Sequence, residues 1–320
     1  MKNSKNIGRW IQIIGSLLSS GLFIWLILKQ NWTLTWHSLE HLPVWLWPVC
    51  LALVLSGMVF NGLRWYVLLR AQKVTLPILE AVKITFAGAF ASNFLPSTIG
   101  GDAVRMVSLY RFTSNKTLIV ASVVIDRAMN VLAMASGIPF VFLTLGNPFL
   151  YLIKGSPIPK DNIVFPALIS RILSFINQLK NRLLQTFSIW LHQPITLVWA
   201  YLISWLSVLV IFLEIWLLAH FLGIPIAFYQ VIGVTIATYV VANLPITVNG
   251  YGLREVAMTT LYMQLGASLE QASILALTSR FFMVLQTLPG ALFLAHVLPV
   301  KLNPEDYKKI EQGVDTSDGI

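Results

Sequence analysis

The sequence predicts an all-α fold: a polytopic transmembrane helix bundle with two re-entrant, broken-helix hairpins arranged as an inverted repeat. Three observations predict it. Hydrophobic residues fill 57% of the 320 positions and charged residues only 11%, against about a quarter charged in a soluble domain. Apolar runs near the roughly 20 residues needed to cross a bilayer core recur along the whole chain. Two of those runs break at Pro and Gly, and the breaks carry the same residues at the same offsets. With a mean hydropathy of +0.75, no stretch is left for a separate water-soluble catalytic domain.

The formal net charge is +9. The basic residues lie between apolar runs, where they set topology and meet anionic headgroups, and no basic, water-exposed face suggests nucleic acid. The one cysteine, Cys50, lies inside an apolar run, so it reads as a small buried hydrophobe; a lone thiol forms no intramolecular disulfide or thiolate cluster.

Taken in order, Trp10 to Leu28 is the first span, retained after a basic N-terminus of Lys2, Lys5 and Arg9. Trp32, Trp36, Trp45 and Trp47 mark an interfacial belt. His37 and His41 are four apart, the spacing of a helical metal pair, but without a carboxylate partner they read as interfacial. Val44 to Leu69 is the second span. Arg64, Arg70 and Lys73 at its end place that end, like the N-terminus, in the cytoplasm by the positive-inside rule. Pro77 to Arg111 has two arms too short to cross, parted at Leu95 to Asp102, which suggests a hairpin entering from the cytoplasm and returning to it. Thr117 to Leu152, broken at Gly137 and Gly146, reads as two short spans. A basic loop at 154–192 then lies in the cytoplasm, with Ala167 to Trp190 as an amphipathic surface helix. Ile195 to Phe221 is a span, Ile224 to Leu265 a second broken segment, and Gln271 to Leu298 the last span, followed by a disordered polar tail at 303–320. The transmembrane domain thus covers residues 1–300, with half repeats at about 77–152 and 224–298, and both termini are cytoplasmic.

Pro96, Thr98, Gly101 and Arg105 stand at offsets 0, +2, +5 and +9, and so do Pro245, Thr247, Gly250 and Arg254. Asn93 and Asn243 lie just upstream. Arg127 and Arg280 follow in helices where both look buried, each with a glycine ten residues on, Gly137 and Gly290. A helix broken at matching places in two halves points to a binding site near the membrane midplane. Irregular backbone cannot face lipid with its N–H and C=O groups unpaired, so it persists where it lines protein or a wet cavity.

Charges at this depth cost about 2.5–3.5 kcal/mol each on insertion scales. Asp102, Arg105, Asp126, Arg127, Arg254, Glu255 and Arg280 therefore need a role: ion pairs that stitch helices together, or substrate binding. Arg forms bidentate contacts with phosphate, and the helix N-termini after Gly100-Gly101 and Gly252 favour an anion. Arg105, Arg127 and Arg254 are thus candidate phosphate ligands in one polar cavity between the hairpins. Asp102, Asp126 and Glu255 balance charge or meet a cationic headgroup, and Glu214 reads as interfacial. Gly250-Tyr-Gly252 lacks the strand-turn-helix context of a dinucleotide loop. No ATP motif, metal site or cofactor site is visible.

Three ordered motifs then stand out: Phe90 to Arg105 (FASNFLPSTIGGDAVR), Ser122 to Arg127 with its Asp-Arg pair, and Asn243 to Glu255 (NLPITVNGYGLRE). Together they resemble the lysylphosphatidylglycerol synthase/flippase transmembrane family, the flippase-like domain family, over about residues 8–300. The resemblance implies a membrane domain of the kind that flips aminoacylated phosphatidylglycerol in bifunctional enzymes. The cytosolic aminoacyl-transferase domain of those enzymes is not found in this sequence, so lysyl transfer is not expected. It also implies a multi-pass protein of the bacterial inner (plasma) membrane; stand-alone members include some associated with polyprenyl-linked sugar metabolism.

The reading is a lipid translocator or flippase rather than an enzyme. Its partners would be membrane lipids (anionic, aminoacylated or polyprenyl-phosphate-linked) and, in a homo-oligomer, copies of itself. Two competitors remain: a membrane-embedded transferase acting on lipid-linked substrates, which would need Asp102, Asp126 or Glu255 as base or metal ligand, and a non-transporting scaffold subunit.

Overall fold

The computed structural model describes residues 40, 42–94, 100–146, 190, 193–242 and 252–297. Everything described is helix or short connection. Helix α1, Leu46–Ala71, is followed by the shorter α2, Ile78–Phe94, and α3, Gly100–Leu109. Next come α4, Lys116–Ser136, and α5, Ile138–Leu145. The second half runs α6, Pro194–Phe221; α7, Phe228–Ala242; α8, Leu253–Gln264; α9, Leu269–Leu285; and α10, Pro289–Val297. Four units are long and apolar enough to cross a membrane: Leu46–Ala71, Lys116–Leu145, Pro194–Phe221 and Leu269–Val297. Val198, Trp199, Leu202 and Leu206 of α6 are exposed, as side chains facing hydrocarbon would be. The chain is an all-α, polytopic membrane helix bundle.

α1 and α6 pack antiparallel along their lengths. Near the middle, the Ser207 hydroxyl donates to the Gly57 carbonyl at 3.2 Å, an approach that a side chain on Gly57 would obstruct, since its Cβ would sit 3.0 Å from Val210. Trp190, just before α6, donates its indole N–H to the Leu68 carbonyl at 2.9 Å, which marks the Arg70 end of the bundle. Leu46, Leu218 and Leu222 share a core cluster at the other, the Leu46 end.

The short helices pair off and open to opposite ends. Leu76 and Ala81 at the start of the α2–α3 pair and Leu109 at its finish share one cluster with Leu68 and Leu69. Ile224 before α7 and Tyr262 of α8 share the cluster of Leu46 and Leu218. At 1.5 Å per residue, α2 reaches about 25 Å and α3 about 15 Å, short of the roughly 30 Å hydrocarbon core. Entry and return at the same end follow for each pair.

The turns into the two pairs match. Lys73 has φ 60° and Gly223 φ 72°. Val74 N–H donates to the Leu69 carbonyl and Ile224 N–H to the Ala219 carbonyl, 150 positions apart. The helices that follow are capped alike. Asn115 Oδ1 accepts from the Leu118 N–H at 3.1 Å, and Ser268 Oγ from the Gln271 N–H, also 3.1 Å. Gln271 Oε1 returns the favour to the Ser268 N–H at 3.0 Å, a reciprocal box that satisfies two otherwise orphaned donors. Ser268→Ala is expected to lower stability by about 1 kcal/mol, read as a lower midpoint of thermal unfolding in detergent.

One expectation is corrected. Thr117 to Leu152 was expected to hold two short spans that return the chain to its starting side. Instead Lys116–Leu145 is one membrane-length unit, bent at Gly137. Leu118 lies in the cluster of the Arg70 end, while the Thr144 hydroxyl donates to the Tyr229 carbonyl at the other end. Gly137 does not turn the chain back because its bareness serves packing: a Cβ there would lie 2.3 Å from Ile236 of α7. The expected first span with its Trp and His residues, the amphipathic helix and the polar tail lie outside the described residues. So do Pro96, Thr98, Asn243, Pro245, Thr247 and Gly250.

Candidate functional site

The buried face of α1 carries Gly57, Asn61, Arg64 and Leu68, spaced four, three and four, as one helix face requires. Arg64 is therefore drawn inward and is only 4% exposed. Its Nε donates to Asp126 Oδ1 at 2.6 Å, and its Nη1 reaches Ser204 Oγ at 3.2 Å and Asn130 Oδ1 at 3.4 Å. From α3, Arg105 Nη2 donates to the other carboxylate oxygen, Asp126 Oδ2, at 2.8 Å. The Arg105 guanidinium also lies over the Trp65 ring, 4.4 Å from its centroid, a favourable cation–π placement. A single carboxylate on α4 is thus held by guanidinium groups from α1 and α3.

Arg127 is adjacent to Asp126 and so points about 100° away around α4. It pairs instead with Asp102 of α3, Nη2 to Oδ2 at 2.6 Å, with 58% of its side chain exposed. These three ion pairs border a cavity of about 320 Å³, whose walls also include Asn61, Gly101 and Tyr239. Three arginines face two aspartates around it, an excess of one positive charge. The N-terminal turn of α3 ends at the same wall, through Gly101 and Asp102.

α3 reaches this position because glycines let it touch α2. A Cβ on Gly101 would lie 2.3 Å from the Gly88 carbonyl, and one on Gly88 would lie 2.9 Å from the Gly101 carbonyl. Arg105 stands one turn beyond Gly101, over the Gly88 surface.

The second hairpin supplies a different cluster. The Gly252 N–H donates to Glu255 Oε2 at 2.7 Å, and Glu255 Oε1 is in ionic contact with Arg280 Nε at 2.7 Å. Arg254 Nη1 has the Met283 sulfur at 3.6 Å, a weak acceptor. Glu214 of α6 is 2% exposed, with Oε1 buried and accepting no hydrogen bond from the described residues.

The structure therefore brings together Gly101, Asp102 and Arg105 of α3, which Gly100 heads, with Asp126 and Arg127 of α4. Among the described residues, the walls of this cavity do not include Gly252, Arg254, Glu255 or Arg280; they come from the first hairpin, α1 and α4, with Tyr239 of α7. Asn93 is set aside from it, donating to Thr287 Oγ1 at 3.1 Å. Arg64 is corrected from a flanking charge to a core ion pair, Glu214 from interfacial to buried, and Arg127 from buried to cavity-facing. Sequence reasoning missed Asn61, Arg64, Trp65, Asn130 and Tyr239 as parts of the site. The signal for Arg64 was its place on the face of Gly57, Asn61 and Leu68.

Residues 12–290 match the family described as the lysylphosphatidylglycerol synthase TM region. No curated protein matches the chain.

Proposed function

The chain belongs to the lysylphosphatidylglycerol synthase transmembrane family, and from that premise we propose that it translocates membrane lipids with anionic, phosphate-bearing headgroups. One observation carries the reading: Arg64 and Arg105 share the single carboxylate of Asp126, so one positive charge in excess faces a cavity of headgroup size. Arg105 Nε is buried and makes no hydrogen bond to the described residues, so a guanidinium donor is left unsatisfied beside the carboxylate contact. A phosphodiester carries one negative charge and accepts bidentate contacts from Arg. The acyl chains stay in the bilayer while the headgroup enters. Asp102, Asp126 and Glu255, the carboxylates a transferase would need as base or metal ligand, are all engaged by arginines, which favours binding over chemistry.

The reading includes an inverted repeat, with α1–α5 and α6–α10 as halves related by a two-fold axis in the membrane plane. Three features support it: the hairpins that open to opposite ends, the matching turns 150 positions apart, and the exchanged glycine contacts. A Cβ on Gly137 would strike Ile236, and one on Gly290 would strike the carbonyl of Phe86, 2.1 Å away; Ile236 and Phe86 are themselves 150 apart. Arg70, Lys73, Arg111 and Lys116 gather at one end, which this reading takes as the cytoplasmic side of a bacterial plasma membrane.

The test is reconstitution in liposomes with labelled anionic, aminoacylated and polyprenyl-phosphate lipids. Wild type is expected to accelerate transbilayer movement of at least one of them. Arg105→Ala removes a charge-assisted contact of about 1.5–3 kcal/mol and is expected to slow that movement roughly ten- to hundredfold. If none of these lipids moves faster with wild type than in empty vesicles, the reading is wrong.

A further inference from the structure

The cavity does not use Glu214, and this residue has an unusual position. It lies in the interior of α6, 2% exposed, with Oε1 buried and unpartnered. No ion pair reaches it among the described residues. The charged or titratable groups that face it are Arg254 and Tyr262 of α8 and Cys50 of α1. Tyr262 is fully buried, and its hydroxyl also has no hydrogen-bond partner among the described residues. Among the described residues Arg254 makes no carboxylate contact within ion-pair distance; Arg280, its cationic neighbour on α9, is held by Glu255.

A carboxyl group and a guanidinium thus face one another at depth without joining. Two unpaired charges in such surroundings are costly to maintain. Two arrangements relieve the cost: the carboxylate closes onto Arg254 as an ion pair, or the carboxyl carries a proton and leaves Arg254 open to another anion.

The repeat gives this choice a meaning. Glu214 stands 150 positions after Arg64, and Arg254 stands 149 after Arg105. Where the first half sets two arginines on Asp126, the second sets one arginine opposite a carboxyl. With Glu214 ionised, Glu214 and Glu255 balance Arg254 and Arg280, and the net charge is zero. With Glu214 protonated it is +1, the same as at the first cavity.

We propose that Glu214 is a proton-binding site, and that taking up the proton frees Arg254 to hold the anionic headgroup in the second half. Proton and lipid anion then occupy that half together, and the charge of the two half-sites is matched. The proton is exchanged with water at the Leu46 end, to which the second hairpin opens. Only the carboxyl O–H bond forms and breaks, and Arg254 keeps its proton throughout. The inference deepens the translocator reading and rests on it for the lipid, but the proton site has a readout of its own.

That readout is infrared difference titration of the full chain in lipid nanodiscs. Wild type is expected to show a protonated-carboxyl carbonyl band that disappears as pH rises, absent in Glu214→Gln and shifted in Glu214→Asp. Identical titrations for wild type and Glu214→Gln would overturn the proton site whether or not lipid moves. In phosphatidylcholine vesicles with labelled phosphatidylglycerol, wild-type translocation is expected to change by up to about tenfold per pH unit where protonation limits it, and Glu214→Gln to be flat with pH. Movement with the same pH dependence in both proteins would overturn the coupling. No movement at all in wild type would overturn the translocator reading and with it the coupling, leaving the proton site itself to be decided by the infrared result.

Discussion

Asp126→Asn is expected to lower the stability of the folded bundle by about 3–5 kcal/mol, the range seen when one partner of a buried ion pair is removed. The change is nearly isosteric, so little packing is lost with it. What is lost is the charge that two arginines share. Arg64 is 4% exposed at its side chain and Arg105 10%, so neither guanidinium can find enough water to replace the carboxylate. An amide oxygen can still accept from one of them, but its nitrogen then presents donors to the other. Three helices meet at this carboxylate, α1 through Arg64, α3 through Arg105 and α4 through Asp126 itself, so the effect is expected to be global rather than a local loosening. Thermal unfolding in detergent, followed by tryptophan fluorescence, measures it. A second substitution gives the physical control. Adding Arg64→Met to Asp126→Asn removes one of the stranded charges while keeping an unbranched apolar stem, and is expected to recover part of the loss. A stability for Asp126→Asn within about 0.5 kcal/mol of wild type would place it among ordinary surface exchanges and would mean that the three charges do not hold the helices together.

The sequence made the helix breaks, the hairpin before Arg111 and the Asp102–Arg105 and Asp126–Arg127 pairs visible, because each depends on local chemistry: Pro and Gly where helix must stop, charge where apolar chain continues. It did not make the partners visible. Arg64 lies seven positions before the end of α1 and was counted with Arg70 and Lys73 as a topology signal. Counting charges near a span end ignores which face carries them, and Arg64 shares its face with Gly57 and Asn61 rather than with Arg70. Asp126 and Arg127 are neighbours in sequence but about 100° apart on the helix; both border the cavity, the first buried and the second exposed. Arg254 was assigned to the same chamber as Arg105 because the two stand at matching places. A match in sequence does not make two residues neighbours in space. Glu214 was read as interfacial for a related reason: it stands 150 positions after Arg64, a residue of opposite charge, so no repeated motif marked it.

Gly101→Ala tests by its sign whether the α2–α3 contact builds the cavity. In an open helix this exchange stabilises by up to about 1 kcal/mol, since alanine is the better helix former. Here the opposite is expected, a loss of about 1–3 kcal/mol, the usual range for overpacking. The new Cβ would meet Ser92 Oγ at 1.9 Å and the Gly88 carbonyl oxygen at 2.3 Å. The serine oxygen can rotate aside. The carbonyl belongs to the backbone of α2 and moves only if one helix shifts against the other. Any shift of α3 carries Arg105, one turn onward, away from Asp126, and Asp102 away from Arg127, so lipid movement in vesicles is expected to fall along with stability. Gly223→Ala separates these effects. Gly223 has φ +72° and its nearest neighbour beyond adjoining chain is 3.6 Å away, so alanine there meets backbone strain of about 1–2 kcal/mol but no clash with the site. It is expected to lower the unfolding midpoint by a comparable amount and to leave translocation near the wild-type rate. If Gly101→Ala instead raised the midpoint and left lipid movement unchanged, α2 and α3 would have room between them, and the placement of Arg105 over Asp126 could not be attributed to their contact.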